Sequence, residues 1–150
     1  MSSQESPQTQ NTAAMLAIGD ELLNGRTRDM NMHYLAGWLD ERGVELRVVR
    51  FVPDEEYMII DAENALRRQY DMVFTSGGIG PTHDDITVDA ISQAFGVEAE
   101  EHDQALEFLT QWYAAKGQEV TDARRRMART PKGASLITND VSGAPGISIE

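Results

Sequence analysis

The feature that most constrains this chain is a threefold repetition in its first half: an apolar run, a polar loop, then an amphipathic segment. Ala13-Ala14-Met15-Leu16-Ala17-Ile18 is an unbroken apolar run closed by Gly19, as expected of a strand buried on both faces. A polar loop, Gly19 to Met30, follows. Met32, Leu35, Ala36 and Leu39 then recur at i, i+3, i+4 and i+7, with Asn31 placed to cap and Gly43 to stop, so Asn31 to Arg42 is predicted helical. Val44 to Val52 is the second predicted strand. Pro53-Asp54-Glu55-Glu56 sets acidic residues in a first helical turn, and Met58, Ile59, Ala62, Ala65 and Leu66 form the stripe of the helix after it. Asp71 to Thr75 is the third strand. Short connections between these elements demand parallel pairing and right-handed crossovers. The fold class is therefore α/β, with helices on both faces of a mostly parallel sheet.

Further helices are expected over Thr87 to Phe95, around Ala105, Leu106, Leu109, Trp112 and Tyr113, and over Thr121 to Arg129. The regular spacing of the apolar stripe assigns Trp112 and Tyr113 to packing rather than to a cofactor platform. Arg124-Arg125-Arg126 with Arg129 is the one dense basic run, and it reads as a solvated helix face. Residues 1–12 hold only Met1 as an apolar side chain and are expected to be a disordered leader before a domain spanning 13–150. Ile147 to Glu150 looks like a strand, which leaves room for further elements past Glu150.

Thirteen basic against 25 acidic residues give a net charge of −12, which repels phosphate backbones and excludes a general nucleic-acid binder. The chain has no cysteine, so a disulfide framework, a thiolate zinc site and a cysteine nucleophile are excluded as well. At this length a single core buries roughly 70% of the unfolded surface without such staples. No apolar window is long enough to span a membrane or serve as a signal-peptide core. A cytoplasmic protein without membrane contact is expected.

Three loops follow the three strands and should share one edge of the sheet. The third, Ser76-Gly77-Gly78-Ile79-Gly80-Pro81-Thr82-His83-Asp84-Asp85, has glycines whose uncovered N–H groups suit an anion, next to a helix N-terminus. Asp84 and Asp85 oppose a phosphate unless a divalent cation lies between. The combination points to a phosphate held with Mg²⁺, although a tight turn with Asp84 or Asp85 capping the next helix would give the same residues. It is neither a P-loop nor a dinucleotide fingerprint. The first loop adds Asp20 and Glu21 and the second adds Asp54.

Taken together, Gly19-Asp20-Glu21-Leu22-Leu23-Asn24-Gly25 with Thr27, Asp29 and Asn31, then Val52-Pro53-Asp54, then Ser76 to Thr87, resemble the molybdopterin-binding (MoaB/Mog-like) domains. The nearest branch is the amino-terminal domain of CinA proteins, which Arg125 to Pro131 and Ser142 to Gly146 also resemble. The resemblance implies a three-layer α/β/α fold with a pocket for a pterin phosphate or its nucleotide-linked form. It implies Asp54 and Asp85 in Mg²⁺-dependent handling of phosphate, with Ser76, Gly77, Gly78 and Gly80 as the phosphate cradle; a metal-dependent hydrolase would hold the cation with Asp54, Asp84 and Asp85. Asp20, Glu21, Asn31, Pro81 and Thr87 complete the implied ligand-binding set.

Two positions depart from the Mog-like pattern: Ile79 stands where a threonine is usual, and Asp84 where a basic residue is common. The resemblance does not reach the deamidase domain of full CinA proteins, so that activity is not carried over. Three functions follow. The first is a small-molecule site for molybdopterin or a nucleotide with Mg²⁺. The second is a metal-dependent hydrolase of ADP-ribose-like compounds, and the third a non-catalytic partner-binding module. The relatives also imply a homo-oligomer, dimer or trimer, with Trp38, Trp112 and Tyr113 as candidate interface aromatics.

Overall fold

The computed structural model describes residues 11–150. Its first half is β1 (Asn11–Ile18), α1 (Asp20–Leu23), α2 (Asn31–Asp40), β2 (Val44–Val52), α3 (Glu56–Arg67), β3 (Met72–Ser76) and α4 (Thr87–Phe95). The second half is β4 (Ala99–Glu101), α5 (Asp103–Ala114), α6 (Asp122–Arg125), a 3-10 turn (Arg126–Ala128), β5 (Arg129–Pro131), β6 (Ser135–Ile137) and β7 (Gly146–Ser148).

The central sheet is parallel, in the order β2-β1-β3. Residues 13 to 18 of β1 are at most 1% exposed, because a middle strand covered on both faces needs apolar side chains in both directions. Ala14, Leu16 and Ile18 pack with Ile59, Ala62 and Leu66 of α3 and Ala90 and Ile91 of α4. The step from β1 to β2 runs one way and the step from β2 to β3 runs back across β1, so right-handed crossovers place α2 and α3 on opposite faces. This is the three-layer α/β/α arrangement that the resemblance implies. Two antiparallel ribbons, β4-β5 and β6-β7, accompany it, and a second core gathers Ala105, Leu109 and Tyr113 of α5 with Met127, Ala128 and Ala144.

Several expectations are corrected at this level. The expected leader falls mostly on residues outside the described ones, but Asn11 and Thr12 belong to β1, paired with Val44 and Glu45. Thr12 is anchored further by its N–H and hydroxyl, both donating to Asp71 Oδ2 at 2.8 and 2.9 Å. The helix expected over Thr121 to Arg129 stops at Arg125, tightens into the 3-10 turn, and Arg129 already pairs with Glu101 as strand. Met58, expected on the buried stripe of α3, is 39% exposed, whereas Glu63 is 4% exposed. The true stripe is Ile59, Ala62, Glu63 and Leu66, a regular helical spacing hidden by one charged residue. Asn31 does not cap α2, whose N-cap residue is Met30 with no side-chain bond; Asp29, just before it, accepts the N–H groups of Asn31 and Met32 at 3.3 and 2.9 Å.

Candidate functional site

Because β1 and β3 are neighbours whose following connections lead to opposite faces, the crevice beyond their carboxyl ends is the topological switch point, where open α/β sheets bind ligands. The loops of the site meet there. Asn31, the first residue of α2, donates from Nδ2 to Ser76 Oγ at 2.6 Å, tying the β1 connection to the end of β3. Gly77, at φ +96°, lies so close to the carbonyl oxygen of Ile18 that any Cβ would collide with it. Gly78, at φ +65°, is backed just as tightly by the Thr87 hydroxyl.

These two glycines are thus required by the packing of the loop on β1 and α4. Thr87, 2% exposed, is part of that scaffold: its hydroxyl donates to Gly77 O at 2.8 Å and its N–H to Gly78 O at 3.1 Å. The N–H groups of Gly78, Ile79 and Gly80 in the same turn have, among the described residues, no protein acceptor. Ile79 itself is 37% exposed. Pro81 begins the descent toward Asp85.

Asp85 does not cap α4, whose N-cap residue is Ile86 with no side-chain bond. Its Oδ2 instead accepts both the N–H and the hydroxyl of Thr82 at 2.8 Å, closing the loop on itself. Asp84 stands 3.2 Å from His83 Nε2, with both side chains largely in solvent.

The first two acidic loops are locked together. Asp20 N–H donates to Asp54 Oδ2 and Asp54 N–H to Asp20 Oδ1, each at 3.0 Å, while Gly19 N–H reaches Val52 O at 3.0 Å. Burial is the first cause that raises the Asp54 carboxyl above its ordinary value, and the charges of Asp20, Glu21 and Asp85 add to it. The backbone N–H of Asp20 acts against them. Asp20, Glu21, Asp54 and Asp85 therefore share one negative field, as three strand ends at one sheet edge would produce. Among the described residues no three His, Asp or Glu side chains stand close enough to form a metal cage by themselves, so a cation here would need oxygens from a ligand.

Sequence reasoning missed the wall on the other side. Asp89, in the first turn of α4, is gripped by two arginines: Arg129 Nη2 at 2.7 Å from Oδ1, and Arg126 Nη2 at 3.2 Å from Oδ2. Arg126 also donates to the carbonyl of Asp85 at 3.1 Å. The basic run is thus not merely a solvated face; it fastens the 3-10 turn to the glycine loop. A helix period applied across Arg126 concealed this, because the chain changes to strand at Arg129.

The model of the family described as a probable molybdopterin binding domain matches residues 14–149. The chain belongs to this family. It is 41% identical over 135 residues to a protein of Pyrobaculum arsenaticum, covering 90% of this chain and 51% of that one. To a CinA-like protein of Myxococcus xanthus it is 39% identical over 131 residues, 87% of this chain and 31% of the relative. The chain thus spans about half the length of the archaeal relative and about a third of the bacterial one. The crystal structure of CinA from Thermoplasma acidophilum, described as of unknown function, superposes with a TM-score of 0.83 at 31% identity, covering 91% of this chain and 80% of that one. The tungsten cofactor synthesizing protein MoaB of Pyrococcus furiosus, at TM-score 0.55 and 18% identity over 88% of this chain and 76% of its own, shares the fold. This molybdopterin-binding domain is therefore of the CinA type. Among its described residues no helix is long and apolar enough to cross a membrane.

Proposed function

We propose that this domain binds a phosphate-bearing pterin or nucleotide at the switch point, with the phosphate on the amides of Gly78, Ile79 and Gly80. The observation that carries the reading is the row of N–H groups that have no protein acceptor among the described residues, in a turn whose glycines are packed against Ile18 and Thr87. Successive free amides form an anion nest. Asp54 and Asp85, on the acidic side of the crevice, are the residues that would share Mg²⁺ with the phosphate oxygens, since Mg²⁺ is commonly held by one or two carboxylates plus a phosphate. Asp84, directed at His83, is left to second-sphere water. Bound there, Mg²⁺ would supply charge neutralisation between phosphate and carboxylate. Asn31 and Ser76, hydrogen-bonded across the crevice, would line the ligand's path, with Asp20 and Glu21 behind Asp54. The setting we infer is cytoplasmic and homo-oligomeric.

Calorimetry with molybdopterin, AMP, ADP-ribose and FAD, each with and without Mg²⁺, tests the reading. We expect at least one to bind more than 10-fold tighter with Mg²⁺, and Asp85→Asn to remove that gain while its amide oxygen keeps the Thr82 bonds. Asp85→Ala should lose those bonds too and about 1 kcal/mol of stability. Unchanged affinity in Asp85→Asn would overturn the role of this carboxylate. Turnover of ADP-ribose would identify a hydrolase, and no binding in any condition a non-catalytic module.

A further inference from the structure

The basic run opens onto a cleft that the proposed phosphate site does not use. We propose that this cleft is a second anion subsite, so that the domain takes ligands carrying two separated anionic groups. The inference rests on the reading of the glycine loop as the first subsite. The cleft, about 620 Å³, lies between the far side of that loop and α6, lined by Pro81, His83, Asp122, Arg125, Arg126 and Arg129 with Glu101 at its rim. A narrow gap lined by Gly78, Gly80, Arg126 and Arg129 adjoins the loop. Arg126 and Arg129 line both spaces.

Hydrogen-bond capacity supports an anion there. Asp89 and the Asp85 carbonyl engage Arg126 only through Nη2, and Asp89 engages Arg129 through both Nη atoms. Glu101 takes Nε and Nη2 of Arg125. Among the described residues, Nε and Nη1 of Arg126, Nε of Arg129 and Nη1 of Arg125 therefore keep donors with no protein acceptor. The carboxylates hold the guanidinium planes in place, and a guanidinium fixed by one anion can present its remaining donors to another in the fork that matches phosphate or carboxylate. The net charge of −12 does not forbid this, because charges beyond about 8–10 Å are screened at physiological salt.

The test compares inorganic phosphate, which can occupy the loop alone, with inorganic tripolyphosphate, which can reach from loop to cleft. We expect tripolyphosphate to bind at least 10-fold tighter than phosphate. Arg125→Gln, on a largely exposed side chain, and Ala123→Glu, an exposed position at the cleft wall, should each bring the ratio near 1 and leave phosphate affinity unaltered. A ratio near 1 in the parent, or a ratio that neither variant changes, overturns the cleft while leaving the loop intact. Tripolyphosphate binding lost in both variants, from a protein that binds no phosphate alone, would support the cleft and overturn the loop.

Discussion

Asp20 and Asp54 exchange hydrogen bonds, each carboxylate accepting the other's backbone N–H at 3.0 Å. Two like charges are held side by side because each is neutralised locally by an amide dipole rather than by a cation. The arrangement fixes the ends of β1 and β2 and concentrates negative charge at the edge of the sheet.

That concentration has a measurable cost. The Asp54 carboxyl is raised above its ordinary value, first by burial and then by its acidic neighbours. A raised carboxyl favours the protonated form in the folded state. Its favourable contribution is complete below the ordinary value of 3.8 and is lost as pH rises through the folded value. Asp54→Asn should therefore stabilise the protein at neutral pH by roughly 0.5 kcal/mol. Thermal melts should show the advantage shrinking toward pH 3; an advantage that does not vary with pH would exclude the electrostatic cause.

Glycine substitutions should separate by surroundings. Gly78→Ala puts a Cβ into the Thr87 hydroxyl at φ +65°, and should cost about 1–3 kcal/mol as a strained backbone does. A binding defect in that variant would therefore report a damaged fold, and valine there would be worse. Gly37, within α2 with nothing within 4 Å of an added Cβ, should behave oppositely, gaining about 0.5–1 kcal/mol on change to Ala. Chemical denaturation midpoints compare the two directly.

Self-association, inferred from fold relatives, now narrows to one aromatic. Tyr113 is buried in its own core, and Trp112 is covered by Gly143 and Lys116, whose Nζ stands 3.4 Å from the ring centroid. Trp38 remains 40% exposed with Arg42 stacked on it at 3.8 Å. Light scattering at tens of micromolar should exceed the 16.6 kDa of one chain, and Trp38→Ser should return it to that mass. A parent already monomeric would remove the prediction.

The parallel sheet was legible because β1 is apolar in both directions and the helices around it keep their period; β2 and α4 fall where the pattern puts them. That the loops carrying Asp20, Asp54 and Asp85 share one edge was expected from parallel pairing, which sets the ends of successive strands on the same side of a sheet. The rest depended on contacts distant in sequence. β4 and β5 are three residues each, too short for alternation to register. Arg126 and Arg129 find Asp89 across about 40 residues, and charge runs carry no signal of where their partners lie.

Glu63 is the residue whose pattern and chemistry disagree most, and it supports a prediction of its own. Its position on the buried stripe of α3 is set by helix geometry, yet among the described residues its Oε2 has no hydrogen-bond partner. Arg67, one turn on, is occupied with Asn64, with the Ala94 carbonyl and with the face of Phe95. Burial therefore dominates and raises the Glu63 carboxyl, with Arg67 opposing it. The sign again favours the protonated form: stability is present below the ordinary value of 4.5 and declines as pH rises through the folded value. Glu63→Gln keeps the shape without the charge, and should stabilise the protein at neutral pH by about 1 kcal/mol, within the range assigned to relief of an unsatisfied buried group. The gain should shrink as pH falls through the raised folded value and be gone below 4.5, where the parent carboxyl is protonated as well. Equal melting temperatures for variant and parent at pH 7.5 would mean that the α3–α4 seam admits water to this carboxylate.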